Sequence, residues 1–159
     1  MPNSVLSQTI YQADGRYLSD NELSTFQGFM SSYEVRLKTY NALRERSDEL
    51  ILNSLRQLMR THRQIVQTKG NTCKRDMAFV LRYIALSILR DDQEGFVEEF
   101  VLWMENVTKS LKKEESAIRA YQALRTIIGT SMSTEMVHLI DPYLDIFIKA
   151  LATGTDVTL

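Results

Sequence analysis

The stretch TCKRDMAFVLRYIALSIL, residues 72–89, decides the fold, because a polar cluster precedes an apolar helix that must lie in the core. The cluster contains Cys73, which is the only cysteine of the chain, together with Arg75 and Asp76. A nucleophilic sulfur, a cation and an anion therefore lie close together at the head of a buried helix. This arrangement suits an extended anionic molecule that is anchored covalently and has N–H groups that need hydrogen-bond acceptors.

The composition is typical of a globular helical protein with one core. Of the 159 residues, 44% are hydrophobic and 25% are charged. Two prolines and six glycines favour long helices over a turn-rich β architecture. The net charge of −1 provides no positive field for nucleic acid or for an anionic membrane surface, so we expect neither partner.

The cysteine count and the N-terminal segment bear on the compartment. A single cysteine excludes an intrachain disulfide framework and suits a reducing environment. The segment MPNSVLSQTIYQAD lacks the basic stretch and apolar run of a secretory signal. No stretch approaches the roughly 20 apolar residues needed to cross a bilayer. We therefore expect a soluble intracellular protein.

Hydrophobic periodicity predicts seven or eight helices and no strand. A short amphipathic helix over 4–14 is followed by Ser19 and Glu22, which form a capping box at the start of a long helix. Ser47 is predicted to begin another helix, and the polar segment 61–71 is predicted to be a loop or a frayed helix end. The fold class is all-α, and the helix count suits a globin-like bundle with an N-terminal extension better than a four-helix bundle.

The central motif resembles that of a known family. CKRDMAFVLRY, residues 73–83, is similar to the chromophore motif of the phycobiliproteins, the light-harvesting subunits of the phycobilisome, and among them to allophycocyanin. The N-terminal half leans towards the α-type subunit. Further matches to the family lie at Ala13-Asp14, Tyr17–Ser19, Glu22-Leu23, Val35–Leu37, Ala42-Leu43, Lys109–Leu111 and Pro142–Asp145.

The resemblance implies a globin-like fold with an N-terminal helical hairpin, in a single domain over 1–159, whose extension 1–32 pairs with a partner subunit. It implies a light-harvesting protein, not an enzyme, that binds one phycocyanobilin-type linear tetrapyrrole covalently and transfers excitation energy. The chain would form a heterodimer with another phycobiliprotein subunit. These heterodimers would then assemble into trimeric rings with linker proteins. These would lie on the cytoplasmic or stromal face of the thylakoid membrane, peripheral and not inserted.

The resemblance also assigns roles to residues. Cys73 would form the thioether, Arg75 would pair with a propionate, and Asp76 would accept hydrogen bonds from pyrrole N–H groups. A position at a helix start would lower the pKa of Cys73. Further cofactor contacts are expected at Lys69, Asn71, Thr72, Lys74, Phe79, Arg82 and Tyr83. Partner contacts are expected at Asp14, Tyr17, Arg82 and Tyr83.

The chain departs from the family pattern just before the motif. Family members have a longer loop there, with basic residues that close one side of the pocket, whereas this chain keeps only Lys69-Gly70-Asn71-Thr72. Lys69 or Lys74 would then have to serve the second propionate. The aromatic pair after the aspartate has become Phe79-Val80. These departures keep two alternatives open: a pigment-free assembly or linker protein of the same fold, and a globin-like helical sensor module.

Metal and catalytic motifs are weak. His62 and His138 lie far apart in the sequence, with no carboxylate at metal-ligand spacing, so no metal site is predicted. No Gly-rich phosphate loop and no Ser-His-Asp pattern occur. The aromatic residues Phe96, Phe100 and Trp103 are predicted to belong to the core or to an interface.

Overall fold

The computed structural model describes residues 5–159 and forms no strand within that range, which confirms the all-α, globin-like fold class. Across the described range the chain forms seven α-helices and one π-helical segment. They are α1 Val5–Ala13, α2 Asp20–Thr61, α3 Arg63–Arg90, α4 Gln93–Phe96, the π segment Val97–Val101, α5 Leu102–Ser110, α6 Glu114–Ser131 and α7 Thr134–Ala152.

The capping box predicted at the start of α2 is confirmed. The Ser19 hydroxyl accepts a hydrogen bond from the Glu22 N–H at 3.3 Å, and the Glu22 carboxylate accepts one from the Ser19 N–H at 2.8 Å. Arg16 binds the same carboxylate at 2.8 Å. These bonds satisfy backbone groups that a helix start otherwise leaves unpaired. The hydrogen bonds from Arg16 and from Ser19 lower the pKa of Glu22 to about 2.

The helix boundary predicted at Ser47 is wrong. Ser47 lies inside α2, which continues for 42 residues without a break. The apolar stripe of the helix passes through this position, because Leu43, Leu50 and Ile51 are all buried on the same side. A serine followed by polar residues indicates a helix start only where the apolar periodicity also restarts.

The loop or frayed helix end predicted over 61–71 is also wrong, because the segment is helical except at His62. α2 ends at Thr61 and α3 begins at Arg63, so His62 alone separates them. The first turns of α3 are polar because they extend beyond the core, and most of their side chains are exposed or half-buried. The consequence for the site is large, since Cys73 lies in the interior of α3 and not at its start.

The core is centred on the second half of α3, as the sequence predicts. Its largest buried side chains include Met77, Leu81, Ile84, Ile88, Phe96, Phe100 and Phe147. Rings from α4, the π segment and α7 pack at short range, with 5.1 Å between the centroids of Phe96 and Tyr143 and 5.7 Å between those of Phe100 and Phe147. Burying one such side chain contributes about 1.5–3 kcal/mol.

A buried arginine joins α2 to the end of α3. Arg36 is 1% exposed, and its guanidinium donates to the carbonyl of Leu89, to the carbonyl of Phe29 at 2.6 Å and to the hydroxyl of Ser32 at 3.0 Å. The guanidinium also stacks over the Phe29 ring at 4.1 Å. This contact holds the C-terminal end of α3 against α2 and thereby fixes the helix that carries Cys73.

None of the helices within 5–159 has both the length and the hydrophobicity required to span a membrane.

A candidate ligand cavity beside Cys73

A cavity of about 390 Å³ lies between α3, α5 and the start of α6. This volume falls within the range of small-molecule sites, which is about 300–1,000 Å³. One wall consists of the α3 residues Lys69, Thr72, Cys73, Arg75, Asp76, Met77 and Phe79. The opposite walls consist of Trp103, Met104, Val107, Thr108, Leu111, Lys113, Ser116, Ala117, Ala120 and Tyr121.

Cys73 is half-buried, and its sulfur lines this cavity. Burial is the main cause that raises the pKa of the Cys73 thiol, and the charge of Asp76 adds to it, against the opposing effect of Lys69 and Lys113. The expectation of a lowered pKa is therefore wrong. The field of a helix N-terminus acts within the first turn, and α3 begins at Arg63, so Cys73 lies beyond its reach.

Asp76 lies on the same face of α3 as Cys73, and both side chains line the cavity, as the spacing of three residues predicts. The side chain of Arg75 is 79% exposed and lies 3.6 Å from the Asp76 carboxylate, whose side chain is 42% exposed. An ion pair this exposed contributes little to stability. Both residues line the cavity, and both side chains are exposed enough to be open to a guest.

The charged groups around the cavity are mainly positive. Lys69, Arg75 and Lys113 contribute cations, and Asp76 is the one acidic residue of the lining within the part of the chain that is described. Lys69 also donates to the hydroxyl of Ser116 at 3.3 Å, which joins α3 to α6. Such a rim favours a guest with more than one anionic group. No sequence pattern predicts that Lys113 lies here, because this residue, which precedes α6, meets α3 only through tertiary packing.

Aromatic side chains form the apolar part of the cavity. Phe79 is 42% exposed, and Trp103 is 53% exposed. Their ring centroids lie 6.2 Å apart in an edge-to-face arrangement. Trp103 was predicted to lie in the core or in an interface; its exposure shows that it lies outside the core, and the interface stays a prediction. Together the rings offer apolar contact area for a conjugated guest.

Tyr121 also belongs to the cavity lining, and its presence there was not predicted from the sequence. It is 3% exposed, and its hydroxyl has no hydrogen-bond partner among the described residues. Burial raises the pKa of Tyr121 well above 10, and the charges of Asp76 and Cys73 raise it further. In the sequence this tyrosine has the spacing of an ordinary core residue, so no local pattern distinguishes it.

The other predicted contacts lie outside the cavity lining. Asn71 and Lys74 face a neighbouring groove between α2 and α3, which shares Lys69 and Thr72 with the cavity. Tyr83 stacks on Phe100 at 4.5 Å, and its hydroxyl lies 3.2 Å from the Glu99 carboxylate. Arg82 is exposed further along α3.

The partner contacts expected from the sequence at Asp14 and Tyr17 lie in the connection between α1 and α2, and Tyr17 is 99% exposed. No group of His, Cys, Asp and Glu suited to a metal ion occurs between residues 5 and 159.

A family model of phycobilisome proteins matches residues 8–151. The chain belongs to the phycobilisome protein family. Among curated relatives of this phycobilisome protein, the allophycocyanin alpha-B chain of Cyanidium caldarium is 30% identical, over 94% of this chain and 99% of the relative.

Two further relatives agree. A Nostoc sp. protein with the provisional name allophycocyanin subunit alpha 2 is 30% identical over 93% of this chain and 99% of the relative. The allophycocyanin alpha chain of Mastigocladus laminosus is 28% identical over 94% of this chain and its whole length. The resemblance predicted from the sequence is therefore confirmed: this phycobilisome protein is an allophycocyanin-like phycobiliprotein of the light-harvesting class.

Proposed function

We propose that this phycobilisome protein binds one phycocyanobilin-type linear tetrapyrrole covalently at Cys73 and takes part in excitation energy transfer. The observation that carries the proposal is the pairing of Cys73 and Asp76 inside a cavity with a positive rim. When bound, such a pigment supplies visible light absorption, which no side chain of the protein provides. The proposal assigns no catalytic step to the chain.

The residues of the cavity fit the pigment by their chemistry. A linear tetrapyrrole carries two propionates, a row of pyrrole N–H groups and extended apolar rings. The rim contributes Arg75, Lys69 and Lys113, which is enough positive charge for two carboxylates. Asp76 lines the cavity and would accept hydrogen bonds from N–H groups, and Trp103 belongs to the apolar part of the lining.

Cys73 would form the covalent link. Its sulfur adds to an exocyclic carbon–carbon double bond of the pigment, a new S–C bond forms, and the thiol proton ends on the pigment. Atoms and electrons balance, so no oxidant or reductant is required. Because burial raises the pKa of this thiol, little thiolate is present near neutral pH. A base that takes up the thiol proton, such as one on a bilin lyase, would therefore speed the attachment.

Asp76 would hold the pigment in one conformation. A carboxylate that accepts from several N–H groups favours a protonated pigment, and the helix fixes the carboxylate at one turn from the attachment point. The apolar side chains of Phe79, Met104 and Val107 belong to the lining and would shield part of the rings from water. A rigid, dry site suppresses the motions through which an excited pigment loses energy as heat.

Assembly with other phycobilisome proteins is the second part of the proposal. The apolar residues Val5, Ile10 and Tyr11 of α1 are 55%, 59% and 86% exposed, so this helix leaves much apolar surface without cover. We propose that the extension 1–32, of which residues 1–4 lie outside the described range, pairs with a second phycobiliprotein subunit. Asp14, Tyr17, Arg82 and Tyr83 would contribute polar contacts.

These heterodimers would assemble into trimeric rings with linker proteins. The rings would lie on the cytoplasmic or stromal face of the thylakoid membrane, peripheral to the membrane and not inserted in it.

Co-expression with phycocyanobilin-forming enzymes and a bilin lyase tests the pigment proposal. We expect a red-absorbing protein whose colour survives denaturation, and a colourless Cys73→Ala variant in the same denaturing assay. A matched Ser110→Ala variant, on exposed α5 surface, should stay coloured. A colourless parent protein with a free thiol would contradict the proposal.

One observation favours a second candidate, a pigment-free assembly protein. The chain keeps only Lys69-Gly70-Asn71-Thr72 where family members have a longer loop with basic residues that close one side of the pocket, so fewer groups would hold a pigment. If this candidate is right, Cys73→Ala enters purified phycobilisomes as well as the parent chain does, and neither chain carries pigment.

A further inference from the structure

A groove of about 610 Å³ lies between α2 and α3, next to the cavity beside Cys73. The two helices run antiparallel, because His62 alone joins them and Arg36 of α2 binds the carbonyl of Leu89 at the far end of α3. The groove, called the α2–α3 groove below, therefore lies near the end of the molecule at which α2 turns back into α3.

The charged side chains that line the α2–α3 groove are all positive in the described part of the chain. They are Arg56, Arg60, Lys69 and Lys74. None of the four forms a salt bridge with a carboxylate of residues 5–159. The stretch 50–75 has six Arg or Lys residues and no Asp or Glu, although the net charge of the chain is −1. Positive charge is therefore concentrated at this end of the two helices.

Two of these cations repel each other in the free chain. Arg56 and Arg60 lie four residues apart in α2, a spacing at which like charges destabilise a helix. Glutamine forms helices about as well as arginine does and would remove the repulsion, so the helix itself does not require these charges. The two arginines are explained if a partner supplies the carboxylates that neutralise them.

Apolar side chains form much of the remaining lining and indicate what kind of anion fits. Leu52 is 48% exposed, and Leu55, Met59 and Val66 are half-buried. Inorganic phosphate has no apolar surface to cover these side chains, and a flat membrane surface does not enter a groove between two helices. An amphipathic helix does both, since its apolar residues enter the groove and its acidic residues pair with the cations.

Gly70 leaves a gap in one wall of the groove. It lies inside α3, where glycine costs about 1 kcal/mol relative to alanine. An added Cβ would meet only a methyl group of Val66, at 3.4 Å, which is an ordinary van der Waals contact, so the fold does not require a glycine here. The missing side chain lets the backbone of a partner approach α3 closely.

We propose that the α2–α3 groove binds an acidic amphipathic helix of a partner protein. The carboxylates of this helix pair with the four cations of the groove, and its apolar residues cover Leu52 and Met59. The surface is separate from the helix α1 that is proposed to pair with another subunit, and the inference does not rest on the pigment.

A fluorescently labelled helical peptide with glutamate and leucine in adjacent stripes tests the inference, with fluorescence anisotropy of the pigment-free chain as the assay. We expect the parent chain to bind this peptide and Arg56→Gln/Arg60→Gln to bind it about 5- to 30-fold more weakly. Gly70→Leu, which fills the gap, should also weaken binding. The matched control Lys38→Gln/Arg44→Gln removes two exposed cations of the same helix that lie outside the groove lining, and it should bind like the parent chain.

Several results would overturn the inference: no binding to the parent chain, equal affinity of Arg56→Gln/Arg60→Gln and the control, or equal affinity for a peptide with glutamine in place of glutamate. Stronger binding of the parent chain to phosphatidylglycerol vesicles, lost in Arg56→Gln/Arg60→Gln, would assign the cations to a membrane surface and overturn it too. The unfolding midpoint of Arg56→Gln/Arg60→Gln should stay unchanged or rise, which separates lost binding from lost folding. All these measurements use the pigment-free chain, so the inference and the proposed function fail independently of each other.

Discussion

Replacing Arg36 by Met is expected to destabilise the protein by about 3 kcal/mol. The guanidinium is 1% exposed and binds the carbonyl of Leu89, which lies in the last turn of α3, where no donor of the same helix is available. Methionine leaves that buried carbonyl unpaired, which costs about 1–3 kcal/mol. Loss of the stacking on Phe29 adds about 1 kcal/mol or somewhat more. The substitution also removes the desolvation cost of a buried charge, which offsets part of this destabilisation.

Guanidinium unfolding followed by far-ultraviolet circular dichroism measures the change, provided that the slope m stays constant. Arg44→Met is the matched control, because Arg44 is an exposed arginine of the same helix that also contacts an aromatic ring, at 5.7 Å from Tyr40. We expect the control to change the free energy of unfolding by about 0.5 kcal/mol or less. If Arg36→Met were no more destabilising than Arg44→Met, Arg36 would not hold α2 on the end of α3.

Three further predictions concern titration and helix capping. Alkylation of Cys73 by iodoacetamide should be slow in the folded protein, and its rate–pH curve should have a midpoint above the ordinary thiol pKa of 9.0; a midpoint below 9.0 would contradict the burial of the sulfur. Burial raises the pKa of Tyr143 to about 12 and also raises that of Tyr121 well above 10, so the folded state keeps protons that the unfolded chain releases near pH 10. The free energy of unfolding should therefore fall as the pH rises from 10 to 12, as guanidinium titrations at fixed pH would show, and a flat profile would count against it. Gly95→Ala should cost about 1 kcal/mol in the same assay, because a Cβ would lie 2.4 Å from the Asp92 carboxylate that accepts from the Gly95 N–H; an unchanged midpoint would show that this cap adds nothing.

Much of the fold follows from local sequence patterns. The apolar spacing within 72–89 predicts the buried helix, and the pair Ser19 and Glu22 predicts the start of α2, because both patterns depend on residues within one or two turns. The boundary at Ser47 and the loop over 61–71 were wrong for a related reason. Polar segments of a helix lose their periodicity wherever the helix extends past the core, and tertiary contacts then decide whether it continues.

The site was predictable only in part. The spacing of Cys73 and Asp76 places them on one helix face, and the structure brings both into one cavity. Lys113 and Tyr121 come from another helix, so their approach depends on tertiary packing that one sequence does not reveal. The predicted direction of the pKa shift of Cys73 was wrong, because the shift depends on where α3 begins and on how deeply the sulfur is buried.

Intact mass spectrometry of the denatured protein, after co-expression with a bilin lyase and pigment-forming enzymes, tests the central claim most directly. We predict a mass increase equal to one linear tetrapyrrole, with peptide mapping that assigns it to Cys73. An unmodified chain whose single thiol still reacts with iodoacetamide would contradict the account.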